Sequence, residues 1–396
     1  REDGARYTPA LLRGLASAAG VVLPRDPEHA VSTEVIAYVT QDRGALVQST
    51  AVLAYPTDLE TREELPIVLV LHGTSGFRAS CGPTADSSAQ ALAAVFASYG
   101  WIAVAPDYLG LESAGAPYGA LHPYLVAEAT AIASLDAVRA AARTVASDRG
   151  ALCASTRVAV FGGSQGGHAT LWVDRLAPYY ARELAVMGGV ATVPTADVVG
   201  QAERALGALV PATANFAAMI ATQAPWYGAN DRLAEIFVAP LDVDVPAALA
   251  ASCSPGDAIE PTSLDALYTS TFLEAVARDG VAAIEPIGCW LRESSLTETS
   301  IPRIDPSEPS HGILFVVGED DTLIHPPIER AAYDTLCAAG VRLEYLECAG
   351  AGHVPATLWA IPEVLDFLDA RRAGDAFTPQ CTRPAASRCR GTPEGE

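Results

Sequence analysis

The feature that constrains this chain most is a serine set between two pairs of glycines, in Gly162-Gly163-Ser164-Gln165-Gly166-Gly167. An apolar, β-branched run of strand length precedes it, and a helix-compatible pattern of Ala, Thr, Leu and Trp follows it. A serine at such a junction sits on a strained turn with its hydroxyl exposed, and side chains at the flanking glycines would collide with the strand and the helix. The pattern predicts that Ser164 is a nucleophile rather than part of an ordinary turn.

A nucleophilic serine needs donors for the oxyanion that forms when it attacks a carbonyl carbon. We expect the backbone N–H of Gln165 to be one donor, because it lies at the positive amino end of the following helix. The apolar run 66–71 reads as a strand buried on both faces, and it leads into His72-Gly73-Thr74. We assign the second donor to the N–H of Thr74, with an ordinary strand-to-helix turn as the alternative.

Strand and helix patterns alternate along the chain, which predicts an α/β fold with a mostly parallel sheet. The first two strands, 31–39 and 45–55, flank the turn signal Asp42-Arg43-Gly44 and read as an antiparallel hairpin. The later predicted strands are 66–71, 101–106, 157–161, 185–192, 312–317 and 341–346. The predicted helices are 86–99, a long one ending near 145, 165–180 and 326–339.

The alternation breaks between about 195 and 305, where Ala-rich helical pieces and turn clusters carry several aromatic residues. We expect a catalytic core of 1–194 and 306–375, a helical cap of 195–305 over the site, and a tail of 376–396. Within the cap, Trp226 and Tyr227 are expected to face substrate together with Phe216, unless they form the core of the cap. Tyr108, after the strand 101–106, is expected to contact substrate as well.

The partners of Ser164 are expected after the last two strands, in the chain order serine, acid, histidine. Strand 312–317 leads into Gly318-Glu319-Asp320-Asp321, and we prefer Asp321 to Asp320 as the acid from its spacing. The last strand leads into a glycine-rich loop that ends in His353. His353 can take the hydroxyl proton of Ser164 while the carboxylate holds its other ring nitrogen.

Composition limits the class of protein. The 396 residues carry a formal net charge of −22, and all 25 basic residues are Arg. Such a chain repels nucleic acid and anionic membranes. No uninterrupted apolar stretch reaches the roughly 18 residues of a membrane-spanning helix. We therefore expect a soluble enzyme acting on a small-molecule or lipid ester, with no nucleic-acid partner; the sequence leaves its oligomeric state open.

The eight cysteines form no C-x-x-C pair and no zinc-like cluster, so we expect neither a metal nor a cofactor. Their even number favours disulfides and a secreted or periplasmic protein, and the alternative is free thiols in a cytosolic enzyme. The first residue is Arg, as expected if a leader is absent. The pairings we expect are Cys81–Cys153, Cys253–Cys289, and Cys381 or Cys389 bound to Cys337 or to each other.

Taken together, these motifs resemble the secretory lipase family of α/β-hydrolases over about residues 65–360. The residues that carry the resemblance are His72–Gly76 with Cys81, Ala105–Gly110, His122–Leu125, Asp136–Ala141, Gly163–Gly167 and Gly350–His353. Gly163 is a departure, because bacterial relatives usually have His there. The resemblance implies an α/β-hydrolase fold, hydrolysis of carboxylic esters and a cap-lined acyl pocket. An acyltransferase or peptidase on the same fold, or a catalytically silent binding protein, are the alternatives.

Overall fold

The fold is built on one nine-stranded sheet. The computed structural model describes residues 2–59, 63–148, 152–254, 259, 261–306 and 308–395. The strands are β1 (Glu2–Tyr7), β2 (Val31–Asp42), β3 (Ala45–Pro56), β4 (Glu63–Leu71), β5 (Ile102–Pro106), β6 (Leu152–Gly163), β7 (Ala185–Thr192), β8 (Gly312–Gly318) and β9 (Leu343–Cys348). Their order in the sheet is β1-β2-β3-β5-β4-β6-β7-β8-β9. From β5 to β9 all neighbours are parallel, whereas β1, β2, β3 and β5 pair antiparallel.

Helices connect and cover the strands. Those of the sheet layers are α1 (Pro9–Ala18), α2 (Ser87–Ser98), α3 (Ala127–Asp148), α4 (Gln165–Tyr180), α11 (Pro326–Ala338), α12 (His353–Trp359) and α13 (Ile361–Ala373). Those between β7 and β8 are α5 (Val198–Gly207), α6 (Thr213–Trp226), α7 (Leu233–Ile236), α8 (Leu241–Ala251), α9 (Ser270–Asp279) and α10 (Ile287–Ser294). The predicted mostly parallel α/β sheet is confirmed.

The first hairpin shows how local chemistry sets register. Arg43 and Gly44 both have positive φ, 49° and 84°, which is the two-residue turn whose twist matches paired strands. The pairing runs without interruption from Asp42 opposite Ala45 to Val31 opposite Pro56. The predicted hairpin is confirmed, with β2 three residues longer than expected.

The apolar run in β4 divides its side chains between two cores. Ile67, Leu69 and Leu71 belong to the core on one face of the sheet, and Val68 and Val70 to the core on the other. Because successive side chains of a strand point to opposite faces, a strand covered on both sides has to be apolar throughout. The predicted doubly buried strand is confirmed.

The segment between β7 and β8, residues 195–305, is called here the inserted segment. Its helices share a third apolar core, which includes Phe216, Phe237 and Trp290. Phe77 and Tyr124, from loops after β4 and β5, complete this core. The inserted segment is therefore packed directly on the loops at the carboxyl edge of the sheet.

Three disulfides are present, and two of the expected pairings are wrong. Cys81 pairs with Cys253, not with Cys153, and Cys253 is therefore not bound to Cys289. Cys153 lies opposite Glu64 at the amino end of β6, whereas Cys81 follows the carboxyl end of β4. Because β4 and β6 are parallel, the two cysteines lie at opposite ends of these strands. The bond between Cys81 and Cys253 ties the inserted segment to the loop after β4.

The other two disulfides hold the tail along the edge strand β9. Cys337 pairs with Cys381, which was one of the expected alternatives, and Cys348 pairs with Cys389. The backbone N–H of Ser387 donates to Glu347 O over 2.9 Å, and Gln380 N–H donates to Leu343 O over 2.8 Å. The tail thereby covers backbone groups that an exposed edge strand would leave unpaired.

Removing the disulfide between Cys348 and Cys389 should destabilise the fold without changing the residues around Ser164. These cysteines are 41 residues apart. Loop-closure entropy then predicts a loss of about 4 kcal/mol in the free energy of unfolding for the double Cys→Ser variant. Urea unfolding measures it, with Cys289→Ser, an exposed cysteine outside the three disulfides, as the matched control. Equal midpoints for the double variant and the wild type would show that the tail holds without the bond.

Candidate active site

Ser164 occupies a sharp turn between β6 and α4. Its backbone has φ 58° and ψ −117°, a conformation that costs energy for any residue with a side chain. A Cβ atom at Gly162 would lie 2.2 Å from Gly166 O, and one at Gly166 would lie 2.0 Å from Leu71 O. Both positions therefore require glycine, as the motif indicated.

His353 and Asp321 meet Ser164 from the ends of the last two strands. The distance from Ser164 Oγ to His353 Nε2 is 2.9 Å, and that from His353 Nδ1 to Asp321 Oδ2 is 2.7 Å. Ser164 precedes α4, Asp321 follows β8, and His353 opens α12 after β9. The structure thus brings the three predicted side chains into one chain of hydrogen bonds.

The choice between the two adjacent aspartates is visible in their surroundings. Asp321 is buried, and its Oδ1 accepts from the N–H groups of Leu323 and Ile324 over 2.8 and 2.9 Å. Asp320 is exposed. Bonds to two backbone donors fix the Asp321 carboxylate so that its second oxygen faces His353.

Arg204 supports the loop of Asp321 and was missed in the sequence. It lies on α5 of the inserted segment, and its guanidinium donates to Thr322 O over 2.8 Å and to Leu323 O over 3.1 Å. No motif signals such a contact, because the partners are backbone carbonyls more than 100 residues away in the chain.

The residues predicted as oxyanion donors, Thr74 and Gln165, lie in the two segments next to Ser164. Gln165 is the first residue of α4. The loop with Thr74 approaches the serine closely, since a Cβ atom at Gly73 would lie 3.7 Å from the Cβ of Ser164. The Thr74 hydroxyl is 2.7 Å from the hydroxyl of Tyr124.

His72 and Tyr108 brace the loop of Thr74. Their rings stack with centroids 4.0 Å apart, and the Tyr108 hydroxyl donates to His72 O over 3.0 Å. Burial lowers the pKa of His72 to about 4, so its ring is neutral at physiological pH. These contacts give His72 a structural role in bracing this loop. Tyr108 is fully buried and supports the loop, in contrast to the expectation that it contacts substrate.

Gly163, the departure from the family pattern, faces two threonines. A Cβ atom there would come 2.9 Å from Thr192 Oγ1 and 3.2 Å from Thr357 Oγ1. These hydroxyls also bond each other over 2.7 Å. The threonine pair occupies the space that a larger side chain would need, so glycine before the serine is compatible with this site.

A largely apolar cavity opens beside Ser164. Its walls come from α5, α6 and the loops after β5, β7 and β8, and its lining residues are Tyr124, Leu125, Ser164, Thr195, Val198, Gln201, Ala202, Ala205, Ala212, Asn215, Phe216, Met219, Leu323 and Ile324. Phe216 lies there as expected. Ser164 therefore borders an apolar cavity on the side that faces the inserted segment.

The structure does not place Trp226 and Tyr227 at this cavity, in contrast to the prediction. The indole N–H of Trp226 donates to Asp42 Oδ1 over 2.9 Å, and Arg43 lies over its ring. Tyr227 stacks on Trp290 with centroids 5.0 Å apart and packs edge-on against Trp226. Both aromatics therefore pack within the inserted segment, and Trp226 also connects it to the first hairpin. This agrees with the alternative that they form part of the core of the cap.

Comparison with solved structures identifies the class of fold. A mutant of the rice cell wall degrading esterase LipA from Xanthomonas oryzae superposes with a TM-score of 0.76 at 19% identity, covering 94% of this chain and 98% of that one. A Legionella pneumophila protein of solved structure gives 0.77 at 17% identity, covering 95% of this chain and 98% of that one. Candida antarctica lipase A in its closed state gives 0.71 at 16%, covering 96% and 85%. The chain has the α/β-hydrolase fold.

The family follows from the sequence itself. The family model described as Secretory lipase matches residues 88–379, more than half of the chain, so the protein belongs to that family. It is a carboxylic ester hydrolase. No curated protein sequence matches it significantly. The family and the three disulfides indicate an extracellular protein.

Two further findings concern the described part of the chain. None of the helices described there is long and apolar enough to cross a membrane. The described residues also contain no group of three or more His, Cys, Asp or Glu that could hold a metal ion.

Changing each aspartate separately should distinguish them. Asp321→Asn should lower kcat by about 10⁴-fold, because an amide does not hold the imidazole in the productive tautomer. Asp320→Asn should change kcat less than about twofold, as expected for a surface substitution. Steady-state hydrolysis of p-nitrophenyl butyrate measures both, and a larger loss for Asp320→Asn would transfer the role to that residue.

Proposed function

We propose that Ser164, His353 and Asp321 form a catalytic triad that cleaves carboxylic esters through an acyl-enzyme. The observation that carries this proposal is the continuous pair of hydrogen bonds, 2.9 and 2.7 Å long, from the Ser164 hydroxyl through His353 to Asp321. This arrangement can move one proton off the hydroxyl and back onto a leaving group.

In the first half-reaction, Ser164 Oγ bonds to the carbonyl carbon of the ester while its proton passes to His353 Nε2. The carbonyl π pair moves to the oxygen and forms a tetrahedral oxyanion. When that pair returns, the bond to the alkoxy oxygen breaks, and His353 gives the alcohol its proton. Water then attacks the acyl-enzyme by the same steps and releases the carboxylic acid.

The oxyanion is proposed to lie between the backbone N–H groups of Thr74 and Gln165. The positive end of α4 adds to their field at the point where negative charge develops. The closeness of Gly73 to Ser164 supports this arrangement, since the carbonyl attacked by Oγ must lie between the two loops.

The apolar cavity is proposed as the acyl site, with residues 195–305 acting as a cap on a core of 1–194 and 306–375. Helix α5 contributes the short aliphatic side chains of Val198, Ala202 and Ala205 to its wall, and α6 contributes Phe216 and Met219. Its free volume is about 40 Å³. We therefore propose that the cavity favours short acyl chains.

The central test is Ser164→Ala. We expect esterase activity to fall on the order of 10⁶-fold while the melting temperature stays unchanged, because the variant loses the nucleophile alone. Labelling by a p-nitrophenyl phosphonate should be stoichiometric in the wild type and absent in the variant. Labelling of a different serine would contradict the proposal.

Acyl preference should follow the cavity wall. Ala205→Phe fills the cavity and should shift the preferred p-nitrophenyl ester to shorter acyl chains, by about fourfold in kcat/KM for each methylene that loses its site. Trp226→Ala is the matched control; it should lower the melting temperature and keep the chain-length profile. A shifted profile in Trp226→Ala with none in Ala205→Phe would place the acyl site elsewhere.

A further inference from the structure

We propose that His122 is a positioning residue that sets the distance between the two oxyanion donors. The inference rests on the proposed function, which assigns those donors to Thr74 and Gln165. His122 lies in the loop between β5 and α3 and is one of the most deeply buried polar residues. Its hydrogen bonds to Gln165 and Phe77 reach the supports of both donors.

The ring of His122 holds Gln165. The distance from His122 Nε2 to Gln165 Nε2 is 2.7 Å, and that from His122 Nδ1 to Leu109 O is 2.8 Å. Since a carbonyl oxygen only accepts, Nδ1 carries the proton and donates to Leu109. The neutral ring then presents a lone pair at Nε2, which accepts a hydrogen bond from the amide N–H of Gln165.

This bond is the anchor of the Gln165 side chain. The other amide atom, Gln165 Oε1, is buried and has no hydrogen-bond partner among the residues that the structure describes. Among the described residues, the hydrogen bond to His122 is therefore the one that orients this amide. The side chain and the backbone N–H of Gln165 share one Cα atom at the start of α4, so we expect a displaced side chain to disturb the N–H.

The backbone of His122 holds the other donor loop. His122 N–H donates to Phe77 O over 2.8 Å, and Phe77 lies three residues after Thr74 in the same loop. Phe77 is itself fully buried against Tyr124. One residue thus connects the Gln165 side and the Thr74 side of the proposed oxyanion site.

Two neighbours fix His122 itself. Gly110 has φ +84°, and a Cβ atom there would lie 2.7 Å from His122 N, so only glycine allows the loop to close. The ring of Tyr108 stacks between His72 and His122, with centroids 4.0 and 5.7 Å away. Burial lowers the pKa of His122 to about 3, which keeps the ring neutral and its acceptor in place.

The experiment compares His122→Phe with His122→Gln. Phe removes the acceptor, whereas the Gln oxygen can reach the former position of Nε2. We expect kcat/KM for p-nitrophenyl butyrate to fall about 10- to 50-fold in His122→Phe, less than the roughly 10²- to 10³-fold cost of losing an oxyanion donor. The inhibition constant of a trifluoromethyl ketone, which forms a tetrahedral adduct, should rise by the same factor, and His122→Gln should restore most of both.

His168→Phe is the matched control. His168 is an equally buried neutral histidine on α4, and its Nε2 donates to Ser294 O over 2.8 Å, away from both donor loops. It should lower the melting temperature and leave kcat/KM and the inhibition constant within about twofold, as a site outside the reaction does. Phosphonate titration of active sites corrects each variant for misfolded protein.

A double-mutant cycle identifies the route of the effect. If His122 acts through Gln165, the loss from His122→Phe should shrink to less than about threefold in a Gln165→Met background. Additive losses, an unchanged inhibition constant, or an equal loss in His168→Phe would each overturn the proposal. If instead Ser164→Ala remained active, the proposed function would fail first, independently of these ratios.

Discussion

Backbone contact at two glycines is the constraint on which the site depends. The first turn of α4 touches the ends of β4 and β6 so closely that a Cβ at Gly166 would lie 2.0 Å from Leu71 O. This contact lets the surrounding strands hold Ser164 at φ 58°, a strained conformation that persists only where the structure over-determines it. Ser164 N–H also donates to Thr192 O over 2.9 Å, at the end of β7. The serine is therefore fixed against three neighbouring strands, and the loops of His353 and Asp321 converge on that fixed point.

The parts of the molecule that sequence predicts are those set by local chemistry. Gly162 and Gly166 predict the turn because no larger residue fits at these positions. The apolar run of β4 predicts a strand covered on both faces. Asp321 and His353 could be placed because parallel strands end at one edge of the sheet. Contacts between residues far apart in the chain have no such local sequence pattern. Trp226 bonds Asp42 from 184 residues away, and Cys81 meets Cys253 across 172 residues, so neither partner follows from composition or periodicity.

The inserted segment does more than wall the cavity. Arg204 on α5 donates to two carbonyls of the loop that carries Asp321, and Gln201 Oε1 accepts from the N–H of His325 over 3.2 Å at the end of that loop. Cys253, after α8, is bonded to the loop after β4 that carries Thr74. The loops that carry the proposed acid and one proposed oxyanion donor are thus both bonded to this segment. Any displacement of α5 away from the loop of Asp321 would break these hydrogen bonds.

Three buried histidines near the proposed site are electrically neutral. Desolvation lowers the pKa of His72 and His168 to about 4 and that of His122 to about 3, so none of these rings carries charge at neutral pH. Each therefore offers one donor and one acceptor of fixed direction. In the proposed mechanism, the negative charge on the carbonyl oxygen would then be stabilised by backbone dipoles and not by the charge of a neighbouring histidine.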